Sequence, residues 1–97
     1  MNKLSNALLH GTSEERKIIA VWQKGHILPN RDPAFWRQDD YGFIIYFPDY
    51  GNRNSTYGWE KDHYPIPKSL GGSDDVSNLR PLHYRKNASL GGRLGNL

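Results

Sequence analysis

Apolar side chains recur at helical spacing near the start of the chain. Ile18 and Ile19 precede Trp22 by about one helical turn, which places the three side chains on one face of a helix. The TSEE stretch before them fits a capping box, in which Thr12 and Glu15 each accept a hydrogen bond from the other's backbone amide. The pattern predicts a structural helix over about residues 13–24.

The centre of the chain is predicted to hold one buried strand between loops. Gly25 is expected to stop the first helix in a left-handed conformation. Two prolines among polar residues predict an ordered loop over residues 26–40. Residues 42–47, GFIIYF, carry β-branched and aromatic side chains on both faces, which is typical of a buried strand.

The last third of the chain predicts a strand, a long loop, a short strand and a helix. The strands are expected over residues 59–64 and 79–82, and the helix over residues 83–90, where Gly91 and Gly92 end it. The loop over residues 65–78 is longer than most compact domains tolerate unless it has a task. These elements predict a single α+β domain.

The composition limits how such a domain can be stabilised. With 97 residues, ten Gly and six Pro, the chain is one loop-rich domain at most, and its core must be modest. The sequence contains no cysteine, which excludes disulfides and thiolate zinc sites. Any metal must therefore be held by oxygen and nitrogen ligands.

The charge suits a polyanionic partner without requiring one. Thirteen Lys and Arg against ten Asp and Glu give a net charge of +3. The longest uncharged apolar run, residues 42–47, is far shorter than the ~20 residues of a membrane span. Residues 1–11 lack the apolar segment of a secretory signal, so no membrane partner and a cytoplasmic location are expected.

Asp62 and His63 place an acid directly beside an imidazole. On a strand these side chains point to opposite faces, so they serve different partners rather than each other. The dipeptide alone is weak evidence, because a chain with four histidines contains one often by chance. It gains weight from an ordered set of residues further along the chain: Pro65 or Pro67, Gly71 and Gly72, Asn78 and Leu79, Leu82 and His83, and Asn87.

This run over residues 60–91 resembles the HNH nucleases, the ββα-metal family. The resemblance implies two antiparallel strands and a helix over residues 58–92, supported by the N-terminal helix and an additional aromatic-rich strand. It matches Asp62 to the family's metal-binding acid and His63 to its general base. Asn78 matches the central asparagine, which ties down the loop or orients His63, and Asn87 matches a metal ligand on the helix. The chain would be a small H-N-N version without zinc-binding cysteine pairs.

The chemistry of phosphodiester hydrolysis agrees with this assignment. The reaction requires a base to activate water and a cation to neutralise charge on the phosphate. By the resemblance, Asp62 and Asn87 share the metal with water and phosphate oxygens, the usual habit of Mg²⁺, while His63 acts as the base. One divalent ion is expected, with Mg²⁺ or Mn²⁺ ahead of Zn²⁺ or Ni²⁺.

His83 has two open interpretations. It precedes Asn87 by one turn of the predicted helix, so its ring could reach the same metal, as it does in colicin-type relatives. A packed histidine at the helix start is the equal alternative. A further difference from many relatives is the absence of a lysine at residues 88–90, which leaves that phosphate contact to Arg85, Lys86 or Arg93.

The cations expected to contact nucleic acid cluster around the motif. No element resembles a base-reading helix, so contacts to the DNA backbone and weak sequence preference are expected. The nucleic-acid-binding set is Lys68, Arg80, Arg85, Lys86 and Arg93.

The expected function is a divalent-metal-dependent DNA endonuclease, bacterial or phage-encoded, that nicks DNA or cuts both strands. RNA remains open as a substrate, and so does the oligomeric state. The alternative is a nucleic-acid-binding module that keeps the fold but does not cut, as part of a larger phage or mobile-element machine.

Overall fold

Two small sheets and two α-helices make up the part of the chain that the structure describes. This computed structural model describes residues 11–94, and the side chains of residues 11–90. The elements are, in chain order, α1 Ser13–Trp22, β1 His26–Ile27, β2 Trp36–Gln38, β3 Ile44–Tyr46, β4 Trp59–His63, β5 Leu79–His83 and α2 Tyr84–Leu94. Short 3₁₀ helices cover Phe47–Asp49, Lys68–Leu70 and Val76–Asn78. The predicted α+β class is confirmed.

Helix α1 begins where the capping box predicts. Thr12 Oγ1 accepts a hydrogen bond from the Glu15 amide at 3.1 Å, and Glu15 Oε1 accepts one from the Thr12 amide at 3.1 Å. The expectation for Gly25 is wrong, because the helix is capped by Gln23 in a right-handed conformation. A side chain at Gly25 would instead meet Arg37, whose Cβ lies 3.1 Å from the position of an added Cβ. Gly25 therefore permits a close approach of β2.

The first sheet is antiparallel, with strand order β1-β2-β3. Its register pairs Trp36 with Tyr46, and Gln38 with both His26 and Ile44. The prediction of a loop throughout residues 26–40 is therefore wrong at β1 and β2, which have two and three residues and are too short to show an alternating pattern. The strand predicted over residues 42–47 is shorter than expected, because Phe47 already enters a 3₁₀ turn.

The core lies between α1, β3 and the second sheet. Its fully packed members are Val21, Trp22, Ile45, Trp59 and Leu79. The two indole rings lie 5.1 Å apart, and each N–H donates to a backbone carbonyl, at 3.0 Å and 3.1 Å. Tryptophan contributes a large apolar area, and satisfying its N–H avoids the penalty of a buried unpaired donor. None of the helices within residues 11–94 combines the length and apolarity of a membrane span.

Strands β4 and β5 form an antiparallel hairpin that leads directly into α2. The register pairs Trp59 with His83 and His63 with Leu79, and α2 packs against both strands. The predicted start and end of this helix are wrong: His83 is the last residue of β5, and the helix runs through Gly91 and Gly92. Two antiparallel strands and a helix are thus present in the predicted order, but the helix has different bounds.

Candidate active-site cleft

Alternation along β4 sends its charged side chains to two faces of the hairpin. Glu60 accepts a hydrogen bond from Asn87 Nδ2 at 3.0 Å, so Glu60 and Asp62 lie on the face toward α2. Lys61 donates a hydrogen bond to Glu14 of α1, so Lys61 and His63 lie on the opposite face. The expected divergence of Asp62 and His63 is therefore confirmed.

A cleft of about 340 Å³ opens between the end of β4 and α2. Its walls bring together Asp62, His63 and Asn87, the residues predicted to act on the substrate or hold the metal. Tyr41, Tyr64, Lys68 and Arg80 also line it. The hairpin and the helix thus place around one space side chains that are distant in sequence.

Arg80 is the partner of Asp62 in this cleft. Its Nε lies 2.9 Å from Asp62 Oδ2, and the two side chains are only 10% and 16% exposed. Arg80 also donates to Asp40 at 3.2 Å and to the Tyr41 hydroxyl at 3.3 Å, and it stacks over the ring of Tyr64. Burial opposes the charge on Arg80, but the hydrogen bonds to Asp62, Tyr41 and Asp40 raise its pKa. Arg80, which the sequence predicts to contact DNA, is therefore bound to other protein side chains in the cleft wall.

Asp40 links Arg80 to a histidine outside the cleft. His26 Nε2 lies 2.7 Å from Asp40 Oδ1. Burial opposes ionisation of Asp40, but the hydrogen bonds from His26 and Arg80 lower its pKa. Both members of this His–Asp pair are substantially exposed, at 59% and 41% of their side chains.

Asp39 connects the first sheet to the second through three backbone amides. Its Oδ1 accepts from Tyr41 and Phe43 at 2.9 Å each, and its Oδ2 accepts from His83 at 3.0 Å. The carboxylate is almost fully buried, at 2% exposure. Sequence reasoning missed this residue, although an aspartate shortly before Tyr-Gly is a typical turn former that bonds the backbone two residues on. Asp39 positions the Tyr41 side of the cleft.

Glu60 orients Asn87. The Nδ2 group of Asn87 donates to Glu60 Oε1, and Arg53 makes a two-pronged ion pair with the same carboxylate at 2.8 Å and 2.9 Å. Burial opposes ionisation of Glu60, but the hydrogen bonds from Arg53 and Asn87 lower its pKa. Because the amide N–H group of Asn87 is directed to Glu60, its amide oxygen is the atom available to a ligand.

His63 has an acidic partner that sequence reasoning missed. His63 Nε2 lies 2.6 Å from Asp74 Oδ1, and Lys68 Nζ lies 3.1 Å and 3.2 Å from the two oxygens of Asp74. The hydrogen bond from His63, together with that from Lys68, lowers the pKa of Asp74 to about 2. Lys68, expected to contact DNA, is exposed and also serves as this second partner. No local pattern indicates the pairing, because it depends on the path of the loop.

Asn78 ties down the loop between β4 and β5. Its Oδ1 accepts from the Ile66 amide at 3.0 Å, and its Nδ2 donates to the carbonyls of Ile66 at 2.9 Å and Ser73 at 3.1 Å. Gly72 completes this junction, because an added Cβ would lie only 1.9 Å from the Ile66 carbonyl oxygen. Of the two roles expected for Asn78, these contacts show the first, which is to hold the loop backbone.

His83 lies away from the cleft. Its ring is buried and stacked between Phe43 and Tyr84. Nε2 lies 2.7 Å from the Thr56 carbonyl oxygen, and Nδ1 accepts from the Arg85 amide at 3.1 Å. Both ring nitrogens are therefore engaged, which favours the packed-histidine interpretation. The argument from a shared helical face with Asn87 is wrong, because His83 belongs to β5.

The remaining predicted cations lie on α2. Arg85 is exposed, and its Nε donates to the Tyr84 hydroxyl at 3.0 Å. Lys86 Nζ lies 4.4 Å from the centroid of the Tyr41 ring, at the edge of the cleft. The side chain of Arg93 lies outside the described part of the structure. Lys86 thus places positive charge at the Tyr41 edge of the cleft, whereas Arg85 lies against Tyr84, next to the buried His83.

The donor atoms of the cleft fit a hard divalent cation. Within residues 11–90, whose side chains are described, Asp62 Oδ1 and Asn87 Oδ1 take part in no hydrogen bond, whereas the other polar atom of each side chain does. Carboxylate and amide oxygens are ligands that Mg²⁺ accepts while keeping several waters. Within the described residues, no group of three or more His, Asp and Glu side chains is arranged to hold a metal. Asp62 and Asn87 can therefore supply two oxygen ligands to a metal ion.

In comparisons with protein-family models, curated proteins and solved structures, no match to this chain is found.

Proposed function

We propose that the chain is a divalent-metal-dependent DNA endonuclease of the ββα-metal (HNH) type. The observation that carries this proposal is the shared cleft, in which two oxygen ligands, Asp62 and Asn87, lie beside a histidine with a carboxylate partner. The order of strand, strand and helix supports it. The enzyme would act in the cytoplasm of a bacterium as a cell-encoded or phage-encoded protein.

Each cleft residue has one task in the hydrolysis. His63 accepts a proton from water as the water oxygen attacks phosphorus and the bond to the leaving sugar oxygen breaks. Asp62 and Asn87 would hold Mg²⁺ or Mn²⁺, which when bound neutralises charge on the phosphate and the leaving oxygen. Arg80 keeps Asp62 in place through the 2.9 Å ion pair, and Glu60 does the same for Asn87.

The surface charge suits recognition of the DNA backbone. Lys86 lies at the Tyr41 edge of the cleft, Lys68 lines its loop side, and Arg85 is exposed on α2. Phosphate contacts of this kind position a protein on DNA without reading its sequence. Weak sequence preference is the expected consequence of such backbone contacts, and a monomer with one active site would nick one strand at a time.

The test is cleavage of supercoiled plasmid with Mg²⁺ or Mn²⁺, with and without chelator. Wild-type protein is expected to give nicked product that the chelator abolishes, and Asn87→Ala is expected to lose it. Asp75→Asn is the matched control, because this exposed residue lies outside the cleft wall. If no nicked or linear product forms with any divalent ion, the proposal is overturned. The alternative, a module that binds nucleic acid without cutting it, then remains.

Metal binding is measured separately by titration calorimetry with Mn²⁺ in the absence of DNA. Asp62→Asn and Asn87→Ala should each weaken the affinity, because each removes or reduces an oxygen ligand. Wild-type affinity in both variants would show that the ligands are assigned to the wrong residues.

A further inference from the structure

We propose that Asp74 is a positioning residue for His63: its carboxylate keeps the ring proton on Nε2, so that Nδ1 is the atom that accepts the proton of water. This inference rests on the proposed endonuclease function, because it specifies which ring atom performs the base step there. Under this proposal, the long loop after β4 contributes to catalysis by carrying Asp74.

The geometry determines the direction of the hydrogen bond. Asp74 Oδ1 and His63 Nε2 are 2.6 Å apart, and an ionised carboxylate can only accept. Nε2 therefore donates. A neutral imidazole has a single N–H, so the lone pair must then lie on Nδ1, which takes part in no hydrogen bond with the side chains described, those of residues 11–90.

Two further contacts keep Asp74 in place. Lys68 donates to both oxygens of Asp74, at 3.1 Å and 3.2 Å. Asn78 binds the backbone at Ile66 and Ser73, close to Lys68 and Asp74 in sequence. The loop thus holds a carboxylate in register with the last residue of β4, and this carboxylate determines the position of the His63 ring.

Folding stability does not explain this arrangement. The Asp74 side chain is 61% exposed and that of Lys68 is 66% exposed, and ion pairs so open to water contribute little to folding. His26 makes a similar pair with Asp40, but it does not line the cleft. The pair at His63 differs in that its histidine lies beside Asp62 and Asn87.

The first test reads the ring tautomer without any cleavage. Multiple-bond ¹H–¹⁵N spectra of the histidine rings are recorded at about pH 9, where imidazole side chains are neutral. Wild type and the control Asp75→Asn should show His63 as the pure Nε2–H form. In Asp74→Asn, Lys68 takes the single amide oxygen and the amide N–H group faces Nε2, so a population with the proton on Nδ1 should appear. An Nδ1–H ring in wild type, or an unchanged ring in Asp74→Asn, overturns the proposal.

The second test separates catalysis from binding. In plasmid nicking, Asp74→Asn should lower kcat by about 10–100-fold, the usual effect of losing a group that orients a functional histidine. KM should not rise, because Asp74 is an anion, which would repel the phosphates of DNA rather than bind them. A raised KM with unchanged kcat would contradict the positioning role. If no variant and no wild-type protein cuts DNA, the endonuclease proposal fails, while the tautomer spectra still decide the role of Asp74.

Discussion

The two faces of β4 carry opposite charges and hold them differently. Toward α2, the acids Glu60 and Asp62 are each bonded to an arginine, and these carboxylates are 20% and 16% exposed. On the other face, Lys61 and His63 are themselves 21% and 24% exposed, and they are bonded to carboxylates that are 59% and 61% exposed. The strand's own side chains are thus similarly shielded on both faces, and the difference lies in their partners: both partners on the basic face, the open face, are exposed, whereas Arg80 on the acidic face is only 10% exposed.

The difference shows how adjacent residues of opposite charge can have separate tasks. A period of two residues sends Asp62 and His63 apart, so neither neutralises the other directly. Asp62 is held by Arg80 in a shielded setting, which keeps an oxygen ligand in a defined place. His63 stands beside the water-exposed loop, where a proton can be exchanged with solvent.

The largest expected effect is the loss of His63 from the open face. We expect His63→Ala to reduce the nicking rate by about 10²–10⁴-fold, because the proton acceptor for water is gone. DNA binding and metal binding should persist. The measurement is the nicking rate across a Mn²⁺ titration, with His26→Ala as the matched control that removes a histidine of the same pairing type outside the cleft. Restoration to the wild-type rate by excess Mn²⁺ would instead make His63 a metal ligand.

Arg80 and Arg53 test how far shielding matters on the acidic face. Arg80→Met should lower the free energy of unfolding by about 2–4 kcal/mol, because it leaves Asp62 with an uncompensated, shielded charge. Arg53→Met removes an arginine that is 58% exposed, so its effect should stay below about 1 kcal/mol. Urea denaturation of both variants measures the two values. Equal losses would mean that the two ion pairs do not differ in shielding.

Asn78 tests whether the loop of the open face is part of the folded unit. Asn78→Ala removes three hydrogen bonds and leaves backbone groups of residues 66 and 73 without these partners. The expected loss is about 2 kcal/mol in the free energy of unfolding. Asn54→Ala, at an exposed turn, should change it by less than about 0.5 kcal/mol. A wild-type unfolding curve for Asn78→Ala would show that the loop detaches independently.

The smallest expected effect is the pH dependence of the pair between His63 and Asp74. The pKa of Asp74 is lowered from 3.8 to about 2 by the hydrogen bonds from His63 and Lys68. A lowered folded-state pKa contributes stability that is present above the unfolded value and is lost as the pH falls through about 2. The difference in Tm between wild type and Asp74→Asn should therefore shrink between pH ~5 and pH ~2. A difference that stays constant over this range would contradict the ion-pair assignment.

Local sequence patterns predicted the parts of this protein that neighbouring residues determine. The capping box at Thr12 and Glu15 marks the start of α1, and the alternation along β4 separates Asp62 from His63. The presence of a strand, a loop, a strand and a helix in the last third was also predicted. The short strands β1 and β2 were not, because two or three residues carry no readable period.

Tertiary structure alone decided which charges meet. Asp62 faces Arg80 because the β4–β5 register pairs these two positions, and Asp74 reaches His63 because Asn78 folds the loop back onto the end of β4. Asp39 binds the His83 amide across 44 residues of chain. Caps and periodicities arise from contacts within a few residues, whereas these pairings depend on strand register and loop closure, which the whole fold determines.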